Sequence, residues 1–393
     1  MDKVNYNFHD FDFFEGLNFK FNLKISSNPK VSIIIPVYNQ ILYTLNCLWS
    51  LKTELECIDS EIIIINDNST DNTLELLEKI EGLKIINNRQ NLGFLKNINL
   101  GVQSSVGEYI LLLNNDVIVF PNLLQELLST FSKFNNVGAV GSKAMHPTNI
   151  ILEAGSVIFK NGVTTNLGRG HRPDSPFDLS LKLVDYCSGY CLLLKRFFPD
   201  QTLVQLDEKF LPAYYEETDL CITLKHKFKK HIIYNPFAEL VHFESISYTA
   251  EKNDKKAMLL KKNRFQFLAK WKKELEQYLP ETRYSYHSLA KNYITVGKVY
   301  LSDKISDSLI NSLIKNHDIA SRQVFLVLKK ELDAKLMERL RRIGVEVVYP
   351  HLNSKNKPIS YFKLIKQFAK TKNLIITSNL FYKLVISIVR LKR

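Results

Sequence analysis

The sequence predicts an α/β fold with a mostly parallel central sheet, followed by a smaller α/β domain. Three observations carry this. The apolar runs Val31–Val37, Glu61–Ile65 and Tyr109–Leu113 show no in-and-out alternation, the pattern of strands buried on both faces of a parallel sheet. Between the first two, Leu42, Leu45, Leu48 and Leu51 recur at helical spacing. Past about residue 290, short apolar runs again alternate with helical stretches.

In chain order, Val31-Ser32-Ile33-Ile34-Ile35-Pro36-Val37-Tyr38-Asn39 is a β-branched strand running into a turn. Glu61–Ile65 breaks at Asn66-Asp67-Asn68-Ser69-Thr70-Asp71. Ser69 or Thr70 suits the N-cap of the next helix, and Asp71 suits its dipole. Capping does not require Asp67, a strand-end carboxylate able to accept hydrogen bonds from a nucleobase. Asn91-Leu92-Gly93-Phe94, with Asn97, Asn99 and Gly101 beyond, is a loop entering a helix, and its amides and N–H groups are suited to a nucleotide pocket.

Tyr109–Leu113 closes at Asn114-Asn115-Asp116. A carboxylate at the C-terminal tip of such a strand points into the crevice where open α/β sheets bind ligands. A hard divalent cation takes oxygen ligands there, with a substrate diphosphate completing its shell. A polar turn is the plainer account of the tripeptide alone. About 100 residues further, Tyr214-Tyr215-Glu216-Glu217-Thr218-Asp219-Leu220 opens a helix, and His242 follows in Val241-His242-Phe243. Adjacent carboxylates can simply complement a helix dipole. Beside the aromatic stretch Phe210–Tyr215, a carboxylate can also be desolvated enough to act as a base near neutral pH.

Together these residues resemble family 2 glycosyltransferases of the GT-A fold. The resemblance runs from about Val31 to about Ser247, with further agreement to Trp271. It rests on seven segments in order: Ile35–Asn39, Asn66–Asp71, Asn91–Phe94, Asn114–Asp116, Cys187-Ser188-Gly189, Glu216–Asp219 and His242. Glu153-Ala154-Gly155 and Gly168-Arg169-Gly170 look like the bacterial branch that builds O-antigen, capsule or rhamnose-containing polysaccharides.

The resemblance implies a nucleotide-diphospho-sugar donor and a glycan or lipid-linked saccharide acceptor. It implies that Asp67 contacts the base of the donor and that Asn99 helps line the same pocket. Pro36, Tyr38, Asn39, Asn91, Gly93, Phe94, Asn114 and Asn115 would complete the donor site, with Ser188 and Gly189 near its sugar or diphosphate. Asp116 would hold Mg2+ or Mn2+, with His242 as a second ligand. Glu217 would be the catalytic base, with Glu216 and Asp219 as alternatives. Three departures from the family pattern stand out. Glu217 replaces a common Asp, one carboxylate remains in Asn114-Asn115-Asp116, and Asn66 and Asn68 replace the usual Asp and Gly.

The chemistry is coherent. A bound divalent ion stabilises charge on a leaving diphosphate, while a carboxylate on the opposite face activates an incoming hydroxyl, inverting the anomeric centre. No Ser-His-Asp order, Walker loop or G-x-G-x-x-G competes. A nucleotidyltransferase would also use metal and nucleotide, but needs a Gly-rich basic loop where Pro36-Val37-Tyr38-Asn39 stands. A catalytically silent scaffold on the same fold is the other alternative.

Composition bounds the rest. The chain has 393 residues and 45% hydrophobic content, enough for about two globular domains. Five scattered cysteines complete no zinc site and point to reduced thiols in a cytoplasmic protein. The acidic, aromatic N-terminus lacks signal-peptide character, and Leu374–Val389 is interrupted by Asn379 and Lys383, so no transmembrane span is expected. The net charge is +13. Lys252, Lys255, Lys256, Lys261, Lys262, Arg264, Lys270, Lys272 and Lys273 cluster on an expected helix with Met258, Leu259, Phe265, Leu268, Trp271 and Leu275 as its apolar face. Such a helix suits an anionic membrane surface at the inner face of the cell membrane, or a helix packed on the catalytic domain with a solvated basic face. No nucleic-acid-binding pattern accompanies the charge.

The expected organisation is an N-terminal extension (1–30), a GT-A catalytic domain (31–250), a basic helical segment (251–290) and a small Rossmann-like α/β domain (291–393). The last faintly resembles the first half of a GT-B-like module, and is expected to be a fragment, a degenerate module or a docking domain.

Overall fold

A computed structural model describes residues 6–175, 178–244, 250–281, 298–302, 307–316, 324–328, 332–348 and 374–377. The helix expected after Tyr349 and the stretch beyond Thr377 lie outside the described residues. The chain forms two compact units, Met1–Pro173 with Val184–Glu281, and Asp174–Leu183 with Thr282–Arg393.

The first unit begins with α1 (Phe11–Gly16), β1 (Val31–Val37), α2 (Ile41–Cys57), β2 (Ser60–Asn66), α3 (Thr73–Leu77), β3 (Leu83–Asn87), α4 (Phe94–Ser104) and β4 (Tyr109–Leu113). Then come β5 (Val117–Val119), α5 (Leu123–Lys133), β6 (Val137–His146), β7 (Ile150–Glu153), β8 (Ser156–Ile158), β9 (Thr164–Asn166), β10 (Lys182–Val184, its first two residues counted with the second unit) and β11 (Cys191–Lys195). It ends with α6 (Glu216–His226), β12 (His231–His242) and α7 (Ala250–Leu275).

Within the first unit the large sheet runs β12-β6-β11-β4-β1-β2-β3, with β5 on β12 and β7 on β6. Strands β3, β2, β1 and β4 are mutually parallel. They are the uninterrupted apolar runs of the sequence: every residue of β2 and β4 is buried. Helix α2 covers them with Leu45, Leu48, Leu51 and Leu55. Its buried Glu54 accepts from the Asn122 and Leu124 backbone N–H groups (2.6 and 2.8 Å), satisfying orphan donors at the start of α5. The N-terminal residues join this core. Phe14 is fully buried, and Phe13, Phe14 and Phe21 meet Trp49 of α2 edge-on at 5.1–6.3 Å.

Past β4 the sheet becomes mixed. Strand β11 runs antiparallel to both β4 and β6, in the register Cys191↔Leu113. Strand β12 runs parallel to β6 and then antiparallel to β5, with His242 opposite Val117. These reversals return two further segments, Ser188–Tyr190 and His242, to the edge where β1, β2 and β4 end. The result is a GT-A architecture.

In the second unit, β13 (Lys298–Ser302), β14 (Val324–Leu328), β15 (Val345–Val348) and β16 (Leu374–Thr377) form a parallel sheet ordered β15-β14-β13-β16. Leu313 and Leu340, from the helices Asp307–Asn316 and Ala334–Arg341, pack with Leu326, Val345 and Val347. The four strands and two helices are those expected from alternating periodicity. Among the described residues, no helix is long and apolar enough to cross a membrane.

Candidate active site

The site is built along one edge of the large sheet, in three parts. The first lies at the tips of β1 and β2. Asn39 adopts a left-handed conformation (φ 56°) and accepts from the Thr70 N–H at 2.7 Å, while its own N–H donates to Ser69 Oγ at 2.8 Å. This ties the turn after β1 to the loop after β2, and Tyr38 stays 45% exposed beside it. The cap on α3 differs from expectation. Asn72 is the N-cap residue and makes no side-chain cap bond; Asp71 just before it accepts from the Thr73 N–H (3.0 Å) and hydroxyl, while Ser69 and Thr70 face Asn39.

Asp67 is buried, and its carboxylate is fully engaged. Oδ1 accepts from the Leu92 N–H (2.7 Å) and from Asn88 Nδ2 (2.9 Å), and Oδ2 from the Gly93 N–H (2.9 Å). The carboxylate therefore shapes the Asn91–Phe94 loop. Gly93 has φ +81°, and a Cβ there would lie 3.2 Å from Pro212 Cβ, so glycine suits both the turn and the close approach. Asn99 departs from its expected place in the pocket. Both ends of its amide bond the Leu206 backbone (3.0 and 2.8 Å), 107 residues on.

The second part lies at the tip of β4. The Asn114 N–H donates to Tyr190 O (3.0 Å), and its side chain lies 3.5 Å from His242 Nε2. Asn115 turns away and donates to Thr44 on α2 at 3.0 Å, which removes it from the donor side. Asp116 Oδ1 and His242 Nε2 are 3.2 Å apart. Nevertheless, Oδ1 is buried with no hydrogen-bond partner. Cis ligands on an octahedral cation with ~2.1 Å bonds lie ~3.0 Å apart, so this pair fits a divalent cation, with substrate or water completing the shell. Among the described residues, no group of three or more His, Cys, Asp or Glu side chains forms a closed metal cage.

The third part brings together Ser188, Gly189, Phe94 and the acidic start of α6. A Cβ on Gly189 would sit 3.4 Å from Phe94 Cζ and 3.8 Å from Glu217 Cβ, so glycine keeps this junction open. Ser188 donates through its N–H (3.0 Å) and its hydroxyl (2.5 Å) to the buried Glu153. Burial raises the Glu153 carboxyl above the usual range. Burial also pushes half-buried Glu217 up to about 7, against lowering by backbone N–H groups at the helix start and with a further push from Glu153. Glu216 is driven well above the ordinary range by burial and then by the charge of Glu217.

Asp219 departs from its expectation as an alternative base. It is buried and accepts from Lys270 Nζ and Trp271 Nε1, both at 2.7 Å, which hold it against α7. Lys270 also reaches Asp207 at 2.7 Å.

The turn before α6 is strained. Tyr214 and Tyr215 both have positive φ, 76° and 74°, at a cost on the order of 1–3 kcal/mol each. Asn263 of α7, fully buried, shares the two hydrogens of its amide nitrogen among the carbonyls of Phe210 (2.7 Å), Ala213 (2.9 Å) and Tyr214 (2.9 Å). Sequence reasoning missed Glu153 and Asn263 as parts of the site. A carboxylate ending the buried run Ile151-Leu152 was a usable signal, since such a group must find partners. Asn263, set among lysines, carried none.

The apolar face expected on α7 is divided. Leu275 is buried, as is Phe267, which the expected face did not include, whereas Met258 (73%) and Phe265 (54%) are exposed. The latter two stand seven residues apart on the side opposite Asn263 and Phe267, as 3.6-residue periodicity requires. The side chains of Lys252 and Lys255 lie outside the described residues.

Residues 32–198 match the family described as Glycosyl transferase family 2. That segment, somewhat under half of the chain, is similar to glycosyl transferase family 2. Among curated relatives, a hyaluronan synthase of Pasteurella multocida is 34% identical over 30% of this chain and 12% of its own length. An O-antigen biosynthesis protein, RfbC, of Myxococcus xanthus is 25% identical over 60% of this chain and 19% of its own. The chain spans roughly a third or less of the length of the curated relatives it matches. A solved mannosyltransferase from Pyrobaculum calidifontis, PcManGT in complex with GDP-Man and Mn2+, overlaps 68% of this chain and 75% of its own at 14% identity, with a TM-score of 0.46.

Proposed function

We propose that this chain is a family 2 glycosyltransferase, and an inverting one. It moves a sugar from a nucleotide-diphosphate donor to a glycan or lipid-linked saccharide in cell-surface polysaccharide synthesis. The observation that carries the reading is Glu217, a carboxyl at about 7 beside Phe94 and Gly189, on the same sheet edge as the Asp116–His242 pair. A base poised near neutral pH combines a useful fraction ionised with a useful affinity for the proton.

Glu217 takes the proton of the acceptor hydroxyl as that oxygen attacks the anomeric carbon, and the bond from that carbon to the diphosphate oxygen breaks. Asp116 and His242 hold Mg2+ or Mn2+, which when bound stabilises charge on the leaving diphosphate as a Lewis acid. Asp67 acts on the donor through the Asn91–Phe94 loop that it shapes, with Tyr38 and Asn39 at its side. Ser188 and Gly189 lie between base and donor.

In the same reading the enzyme works in the cytoplasm, with peripheral contact to the inner face of the membrane. Exposed Met258 and Phe265 on α7, with exposed Lys261, Lys272 and Lys273, support that contact. The C-terminal α/β unit is assigned a docking role rather than a catalytic one. Incubation with UDP-, GDP- and dTDP-sugars and Mn2+, scoring nucleoside diphosphate release, tests the proposal. Release from one donor supports it, and silence across the panel with an intact fold counts against it.

A further inference from the structure

We infer that Asn263 is a positioning residue, and that helix α7 sets the place of the candidate base by clasping both sides of the turn that carries it. This rests on the reading of Glu217 as base. Glu217 is the second residue of α6, so its position follows from the path of the chain through Tyr214 and Tyr215. Neither tyrosine favours the left-handed conformation it holds here. Such a turn persists only where its surroundings over-determine it.

The surroundings are contributed largely by α7. Before the turn, one buried amide nitrogen, Asn263 Nδ2, gathers three carbonyls of Phe210–Tyr214. At the turn, the Tyr215 ring lies 5.3 Å from that of Phe267, and its hydroxyl donates to Gly162 O at 2.8 Å. After the turn, Trp271 and Lys270 hold Asp219, one helical turn or less beyond Glu217. Asn263 and Phe267 are spaced i and i+4 on one face of α7, with Trp271 four residues beyond at the kink (φ −112°, ψ 19°). One helix thus grips the loop before the base and the helix after it. Asp116 and His242 make none of these contacts, while the donor-side loop meets the clasped segment at Pro212, whose carbonyl accepts from the Leu95 N–H at 3.4 Å. A loosened clasp should therefore act on the base far more than on donor binding.

The test compares Asn263→Ala, Trp271→Phe and Glu217→Gln with wild type, using the nucleotide sugar that the donor panel identifies. It measures binding of the matching nucleoside diphosphate with Mn2+, and kcat and KM for diphosphate release. Asn263→Ala should change nucleoside diphosphate binding and donor KM by no more than about threefold, while kcat falls about 10²-fold, the scale of an ångström of misplacement. Trp271→Phe should give the same split with a smaller loss. A folded Asn263→Ala protein with wild-type kcat overturns the inference. If that variant does not fold, wild-type kcat in Trp271→Phe overturns it instead. Full turnover in Glu217→Gln shows that the base reading has failed, whereas loss there with full turnover in Asn263→Ala shows that the positioning inference alone has failed.

Discussion

Asp116 Oδ1 and His242 Nε2 approach to 3.2 Å without forming a hydrogen bond between them. The pairing follows from strand order. Val117 of β5 stands opposite His242 of β12, and the Phe243 N–H donates to Asp116 O at 3.0 Å, so the two side chains are fixed by backbone on both sides. Rigid framing of this kind suits the proposed pair of cation ligands. Asp116→Ala should abolish diphosphate release and remove Mn2+-dependent nucleoside diphosphate binding, read by calorimetric titration. His242→Ala should weaken both more mildly, because water can replace the imidazole. Unchanged turnover of wild type in excess EDTA would sink the metal role.

Glu217→Gln keeps size but cannot accept a proton. Transfer should fall by ~10²–10⁴-fold, the usual contribution of a general base, with donor binding retained. In wild type, kcat/KM should rise with pH through about 7, where the Glu217 carboxyl ionises. That acidic limb should vanish in the Gln variant. Glu217→Asp keeps the carboxylate but shortens its reach by one methylene, so intermediate activity is expected.

The same carboxyls make stability pH-dependent. Burial raises Glu217 from 4.5 to about 7 and raises Glu216 and Glu153 in the same direction. Below the unfolded value, folded and unfolded chains both hold these protons, and the stabilisation is fully present. Between the two values the folded chain binds more protons, so stability falls as pH rises. Melting temperature should therefore drop between about pH 5 and pH 8, less steeply in Glu217→Gln. A flat or rising profile in wild type would contradict the burial of Glu153 and Glu216 and the upward push on Glu217.

Asp67→Asn should act on the donor side. Its amide can accept, but its NH2 would face the N–H groups of Leu92 or Gly93, leaving at least one of them unpaired. Such a loss is worth ~1–3 kcal/mol, so donor KM should rise about tenfold or more while kcat changes little. A fall confined to kcat would refute this division of labour.

Met258→Ser with Phe265→Ser removes two exposed apolar side chains from α7 on the side away from its buried contacts. Co-sedimentation with phosphatidylglycerol-containing vesicles should drop, and binding by wild type should weaken as salt rises. Equal sedimentation of variant and wild type would remove this face from any membrane contact.

Much of the fold was legible because strands buried on both faces must be apolar throughout, as Ile62–Ile65 and Tyr109–Leu113 are. Asp116 and Glu217 were legible as carboxylates at element ends. Side chains whose partners lie far along the chain were not. Asn99 finds Leu206, Asp219 finds Trp271, and Asn263 reaches back 49–53 residues to its carbonyls. A hydrophilic residue looks the same in sequence whether it faces ligand, solvent or a distant backbone group. The division of the α7 apolar face was hidden likewise, since periodicity counts apolar positions without saying which have a neighbour.

The antiparallel entry of β11 beside β4 places Ser188 and Gly189 only three and two residues ahead of Cys191, which pairs with Leu113. Side chains on a strand alternate faces, so a one-residue slip would exchange the buried and presented sides of the whole segment. The spacing between Ser188 and Cys191 should consequently tolerate substitution far better than a change in length. A single insertion or deletion there would sever the junction between the proposed metal-binding tip and the proposed base, even with every chemical group retained.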